Sequence, residues 1–254
     1  MTRFPLRLRV ALAKARLFPQ RGAGGKANRP ILRLNAEELL HRQSNQPVSH
    51  EIVRETLRER RGIVWIGGSE PLAHPGIGHL TRLIASSGHF LFLDTNGVVL
   101  RQRIHEFQPL PRFYFSVRFL GLEAEHDRRC GRAGAFRAAL EGIRTAQLSG
   151  FFVCANVVVH AQSDGADLGH LFDTLRGLDL DGAMISAASR DAESERVADE
   201  ARRRFLSAGW AAFSRCVDAA APVELTRRTA AQREVAVAAA DAASGEFEES
   251  VQAR

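Results

Sequence analysis

Six short apolar runs, separated by stretches with helical periodicity, constrain this chain more than any other feature. They fall at Ile31 to Asn35, Ile63 to Gly67, Phe90 to Thr95, Phe113 to Arg118, Phe151 to Val159 and Ala183 to Ala187. A run such as Ile63-Val64-Trp65-Ile66 is apolar at successive positions, as a strand covered on both faces requires. The stretches between, near His50 to Arg60, Ile77 to Ser87, Val98 to Phe107, Ala135 to Ser149 and Ala166 to Arg176, are long enough to cross back over a sheet. The alternation predicts an α/β fold built on a parallel sheet. Periodicity alone leaves a doubly wound sheet and a fuller barrel equally open.

The stretch from Gly62 to His74, GIVWIGGSEPLAH, reads as the second run emptying into a polar, glycine-containing turn. Gly67 and Gly68 let backbone come close to another group, and Glu70 places a carboxylate at the strand's C-terminal end, where α/β folds bind ligands. The competing reading is that Glu70 caps or braces the turn while Pro71 stiffens it. GAGGK at Gly22 to Lys26 is not a phosphate loop, because it lacks the upstream glycine and the following Ser or Thr.

The GGSEP run resembles the GGEP motif of radical S-adenosylmethionine (SAM) proteins. LDTNGVVL, Leu93 to Leu100, is similar to their third-strand TNG segment, and FSVRFLGLEAEHDRRCGRAGAF, Phe115 to Phe136, to their fourth strand with the HD passage and helix that follow. The likeness runs from about Pro30 to Ala188 in the family's order. It implies a partial (β/α)6 barrel, and the preference for six units comes from the resemblance. The basic leader, HPGIG after the second strand and the FxxSVRFLGLEAEHD passage also resemble the hopanoid adenosyl-transferase branch. The family likeness implies SAM contacts at Gly67, Gly68, Ser69, Glu70, Pro71, Ser116 and Asn156. Ser69 stands where the motif's second glycine sits, and Leu120 where the family has the aspartate of its DG pair.

The family also carries CxxxCxxC after its first strand, three thiolates that hold a 4Fe–4S cluster. The loop here reads HRQSNQPV, and His41, Asn45 and Val48 fall on the cysteine positions. Valine cannot ligate iron, asparagine is a poor ligand, and a lone imidazole is not a cluster site. The chain's three cysteines, Cys130, Cys154 and Cys216, lie far downstream. SAM remains the expected ligand; the cluster is not expected. The reading that follows is a cluster-free binding or partner subunit, alongside a cysteine-bearing paralogue or a pathway enzyme. Its rivals are a radical enzyme dependent on SAM and the cluster, and a non-radical enzyme using the same cavity.

Other candidates read as architecture. Thr95, Asn96 and Gly97 form a turn, and His126 and Asp127, adjacent on a helix, diverge too far to act as an acid–base pair. His74 and His79 fit neither a helix face nor a zinc finger.

Across 254 residues the chain is 45% hydrophobic and 25% charged, enough for one sizeable core. Three cysteines without a pairing pattern point to a reducing, cytoplasmic setting. A net charge of +6 raises nucleic acid as a partner, but arginines distributed over helices read better as solvated faces. The exception is residues 1–21, where Leu6, Val10, Ala13 and Leu17 share a helical face among Arg3, Arg7, Arg9, Lys14, Arg16 and Arg21. That segment suits either peripheral contact with an anionic membrane or a helix capping the barrel bottom. The expected organisation is a basic leader at 1–29, the barrel at 30–190, helices at 191–221 and a loosely ordered tail at 222–254.

Overall fold

The computed structural model describes residues 4–17, 31–36, 57 and 62–222. Six parallel strands, β1 (Ile31–Asn35), β2 (Ile63–Gly67), β3 (Phe90–Thr95), β4 (Phe113–Phe119), β5 (Phe152–Val159) and β6 (Gly182–Ala187), lie side by side in chain order. With every neighbour parallel and in chain order, the sheet curls into a partial (β/α)6 barrel. The expected fold class is therefore the observed one.

Helices α1 (Leu6–Leu17), α2 (Ile77–Ser86), α3 (Leu100–Arg103), α4 (Glu123–Cys130), α5 (Ala135–Leu148), α6 (Gly165–Arg176), α7 (Ala192–Phe205) and α8 (Ala208–Ala219) complete the described elements. Two depart from the sequence reading. The helix expected over Val98 to Phe107 is α-helical only at Leu100–Arg103 and tightens into a 3₁₀ turn at Ile104–Glu106. There Arg103 bends back to the Leu72 and His74 carbonyls and pairs with Glu106, holding the chain against the turn after β2. The passage before α5 forms a helix of its own, α4, ended by Gly131 at φ 63°. The helix expected near His50 to Arg60 lies outside the described residues except for Leu57, as do His41, Asn45, Val48 and the tail beyond Pro222.

Strand parity separates two cores. Leu91 and Leu93, Phe113 and Phe115, Val153, Ala155 and Val157 face the outer helices, packed with Ile84, Ala139, Ile143 and Leu171. Trp65, Phe92, Tyr114, Cys154 and Met184 face inward and form the second cluster with Trp210, Phe213, Phe4 and Leu8. Trp65, Phe92, Tyr114 and Phe152 stack in sequence, at centroid distances of 5.8, 4.8 and 5.0 Å, so the lower interior is a wall of rings. Trp210 of α8 occupies the space a side chain on Gly182 would need, so that only glycine lets the helix lie on β6. Pro222, just past α8, bridges Arg33 on β1. The α8 segment thus runs from one sheet edge to the other and closes the interior.

Leu8 and Leu12 of α1, with Phe4 just before it, form the buried stripe, whereas Leu6 is 71% and Val10 44% exposed. The helix does cap the barrel's lower end, but with the stripe opposite the one the sequence pattern singled out.

The HD passage is architectural. The Asp127 carboxylate accepts the Gly134 and Phe136 amides at 2.6 and 2.8 Å, fastening α4 to the start of α5. His126 is buried against Phe119 and Phe136, and its Nδ1 accepts the Leu120 amide at 3.1 Å. Burial lowers the pKa of this imidazole below its ordinary 6.5. In the unfolded chain it takes up a proton near pH 6.5, while the folded protein resists protonation to lower pH. Stability must therefore fall as pH drops below about 6.5. Urea unfolding at pH 7.5 and 5.5 should show this loss, and His126→Gln should remove part of it; an unchanged pH slope in the variant would contradict a neutral, buried His126.

Candidate functional site

Toward the C-terminal ends of the strands the concave face turns polar. Above Phe92 comes Asp94, above Tyr114 come Ser116 and Arg118, above Cys154 comes Asn156, and above Met184 comes Ser186. Asp94 is 5% exposed, so its carboxylate has left water and needs partners in the fold. Its Oδ1 accepts from Ser116 Oγ at 3.1 Å and Asn156 Nδ2 at 3.2 Å, and its Oδ2 lies 3.1 Å from Arg118 Nε. Asn156 Oδ1 in turn accepts from Ser186 Oγ at 2.9 Å. The result is a polar layer tied across β3, β4, β5 and β6. Burial raises the Asp94 pKa above its usual 3.8, against the opposing pull of Arg118 and the two hydrogen bonds.

Ser116 and Asn156, which the family likeness singled out, stand on the concave face and are joined through Asp94. Asp94 and Arg118 were not singled out in the sequence. The signal was there: in FLFLD the aspartate shares parity with Phe90 and Phe92, and in YFSVR the arginine shares parity with Tyr114 and Ser116.

Glu70 lies on the adjoining turn and is occupied by it. Its Oε1 accepts the Leu72 amide at 3.0 Å and the Thr95 hydroxyl at 2.5 Å; its Oε2 accepts the Asn96 amide at 2.7 Å. Thr95 Oγ1 then accepts the Gly97 amide, and Asn96 Oδ1 the Val98 amide, each at 3.0 Å. The GSEP and TNG turns are thus two halves of one brace across the ends of β2 and β3. Gly97, at φ 75°, could not carry a side chain without meeting Val117 and Ala139, so α5 packs directly on this turn. Arg118 reaches the same brace: its Nη2 is 3.9 Å from Glu70 Oε2, and its Nη1 3.4 Å from the Gly68 carbonyl.

Gly67 and Gly68 bring bare backbone to the mouth, and Gly68, at φ 96°, lies against the Asn35 side chain. Pro71 is buried at the start of a 3₁₀ turn, Pro71–Ala73, for which Glu70 is the cap. Among the described residues, the buried Ser69 Oγ and Trp65 Nε1 have no hydrogen-bond partner. Beside Glu70 a cleft of about 420 Å³ opens, lined by Leu72, Asn96, Val98, Gln102, Cys130 and Arg132 among others.

The donor set suits one kind of group and not another. Guanidinium, buried carboxylate, amide and hydroxyls at the end of a parallel sheet match a zwitterionic amino-acid terminus, such as the methionyl end of SAM. A cluster needs thiolates, and no cysteine precedes Cys130. Cys154 is fully buried below the polar layer, Cys216 is on α8, and no group of three or more ligating side chains forms among the described residues. Cys130 Sγ lies 3.4 Å from His126 Nε2, yet Nδ1 of that ring is already an acceptor, which leaves the proton on Nε2. Burial also raises the Cys130 pKa. The pair is not a nucleophile with its base.

A family model described as the radical SAM superfamily matches residues 42–175. A structure of SuiB from Streptococcus suis bound to S-adenosylmethionine is similar with a TM-score of 0.50 at 12% identity, over 69% of this chain and 48% of that one. A structure of TYW1 with a lysine-pyruvate adduct bound gives 0.46 at 15% identity, over 62% and 53%. Archaeal TYW1 gives 0.48 at 12%, over 80% and 82%. The chain spans about half the length of the first two. No curated protein sequence matches it. The likeness to the hopanoid branch rests on the sequence passages alone. With the family's pattern matched over more than half its length and the half-barrel in place, the chain belongs to the radical SAM superfamily.

Proposed function

We propose that this chain binds SAM, or a ligand with the same amino-acid terminus, in the polar layer above its aromatic floor and does not cleave it reductively. One observation carries the reading: the first cysteine is Cys130, so the loop after β1 has no thiolate to offer iron, while Asp94, Ser116, Arg118 and Asn156 are joined in one polar layer. Reductive cleavage of the sulfonium requires an electron delivered through a cluster with one open iron, which three cysteines normally hold. A superfamily member without them can still bind. Its role is then that of a ligand-binding or partner subunit beside a cysteine-bearing paralogue or a pathway enzyme.

In this reading Arg118 takes the ligand carboxylate, since a guanidinium offers paired donors and is already held at the mouth by Asp94. Asp94 and Asn156 offer acceptors to the ligand's ammonium. Gly67, Gly68 and Ser69 supply backbone and the unpartnered Ser69 hydroxyl. Glu70 and Pro71 shape the turn. That none of the described helices is long and apolar enough to cross a membrane bears on the setting only to that extent.

Calorimetric titration with SAM tests the proposal. The folded wild-type chain should bind SAM, and Arg118→Met should weaken binding by at least tenfold, about the worth of one charge-assisted hydrogen bond. No binding by the wild-type chain, or full affinity in the variant, would overturn it. Glu70 separates brace from contact. Glu70→Gln should cost roughly 1–3 kcal/mol of stability, because one acceptor of the part-buried brace becomes a donor facing other donors, with only a small change in affinity. Lost affinity at unchanged stability would make Glu70 a direct contact instead.

A further inference from the structure

All four large apolar side chains left exposed among the described residues lie at the end of the barrel where the strands begin, opposite the polar mouth. They are Leu6 at 71%, Val10 at 44%, Leu148 at 90% and Phe152 at 36% exposure. Leu148 closes α5 just before β5, and Phe152 opens β5. A cleft of about 560 Å³ joins Leu6 and Arg7 of α1 to Phe90, Pro111, Tyr114 and Phe152 at that rim.

The helix α1 carries two apolar stripes. Leu8 and Leu12, continued by Phe4 just before the helix, are buried against the lower core. At 100° per residue, Leu6, Val10 and Ala13 point the opposite way, and all three are exposed. Arg7 and Arg9, also exposed, flank that outer stripe on either side. A helix that only had to cover the core would present a polar outer face; this one presents an apolar strip between cations.

Arg7 and Arg9, exposed at this end, belong to a stretch that is strongly basic in sequence. The first 36 residues contain nine Lys and Arg and no Asp or Glu, so without them the net charge of +6 would become negative. On the strand side of the cleft, Arg112 lies over the Phe90 ring at 5.6 Å. Asp181 also lines the cleft, where its carboxylate accepts the Val153 amide at 2.7 Å.

We propose that this end of the barrel rests on an anionic lipid surface. Helix α1 lies in the headgroup plane, with Leu6 and Val10 entering the acyl boundary and Arg7, Arg9 and Arg112 against phosphates. Phe152 extends the apolar contact onto the sheet's rim. The mouth of the barrel then faces away from the bilayer. A contact of so few apolar groups is weak and reversible, and it depends on charge.

Cosedimentation of the full chain with vesicles tests this, using phosphatidylcholine alone and phosphatidylcholine with about one-third phosphatidylglycerol. The chain should pellet with the anionic vesicles, at least about tenfold better than with the neutral ones, and added salt should release it. Leu6→Ser combined with Val10→Ser should lower binding by about tenfold with an unchanged melting curve, since both side chains already face solvent. Equal binding to both vesicle types, or unchanged binding by the variant, would overturn the proposal. So would light scattering that shows a dimer lost in the same variant, because the strip would then be covered by a second copy of the chain.

Discussion

A buried carboxylate at the end of a parallel sheet organises the upper half of this molecule. Asp94 has lost its water and is held by Ser116 and Asn156 on one oxygen and Arg118 on the other. Because side chains alternate across a strand, sliding β3, β4 or β5 by one residue would turn these groups into the apolar layer beneath the helices. The registers Asp94 with Ser116 and Arg118 with Asn156 are therefore fixed from two sides. The polar layer sets them from within, and the two apolar cores set them from without. An ion pair of this kind adds little net stability, since desolvation offsets its attraction; what it contributes is a single arrangement of the mouth.

Two systems meet at that mouth with different tasks. Glu70, Thr95 and Asn96 hydrogen-bond mainly among themselves and the adjoining backbone, so they give the turns after β2 and β3 a fixed shape. Buried polar atoms without a hydrogen-bond partner remain beside them, the Ser69 hydroxyl on the turn and the Trp65 indole on β2. Arg118 belongs to both the brace and the concave polar layer, which makes it the residue through which turn and layer are aligned. Below them the stacked rings and α8 fill the barrel, so only its upper part is free for a ligand.

The strands were legible in the sequence because each is a continuous apolar run, and a strand buried on both faces has no other way to read. Within the described residues, observed boundaries differ from the expected ones by a residue at β4, β5 and β6. Motif segments pointed to the turns, and the parity of Ser116 and Asn156 pointed inward. What the pattern did not reveal was Asp94 and Arg118, since a charged residue ending an apolar run looks like a strand terminus until neighbouring strands supply partners 22 to 62 positions away. The orientation of α1 was hidden for a similar reason. A helix with two apolar stripes does not say which one meets the core, and the choice was made by Trp210 and Phe213 of α8, some two hundred residues on.

The chain thus joins an intact polar mouth to a loop without thiolates, and the two facts together define the functional reading. Anaerobic reconstitution with iron and sulfide, followed by iron analysis and assay for 5′-deoxyadenosine after addition of SAM and dithionite, tests it most directly. The account predicts protein without stoichiometric iron and no 5′-deoxyadenosine. A bound cluster with 5′-deoxyadenosine formed would contradict it.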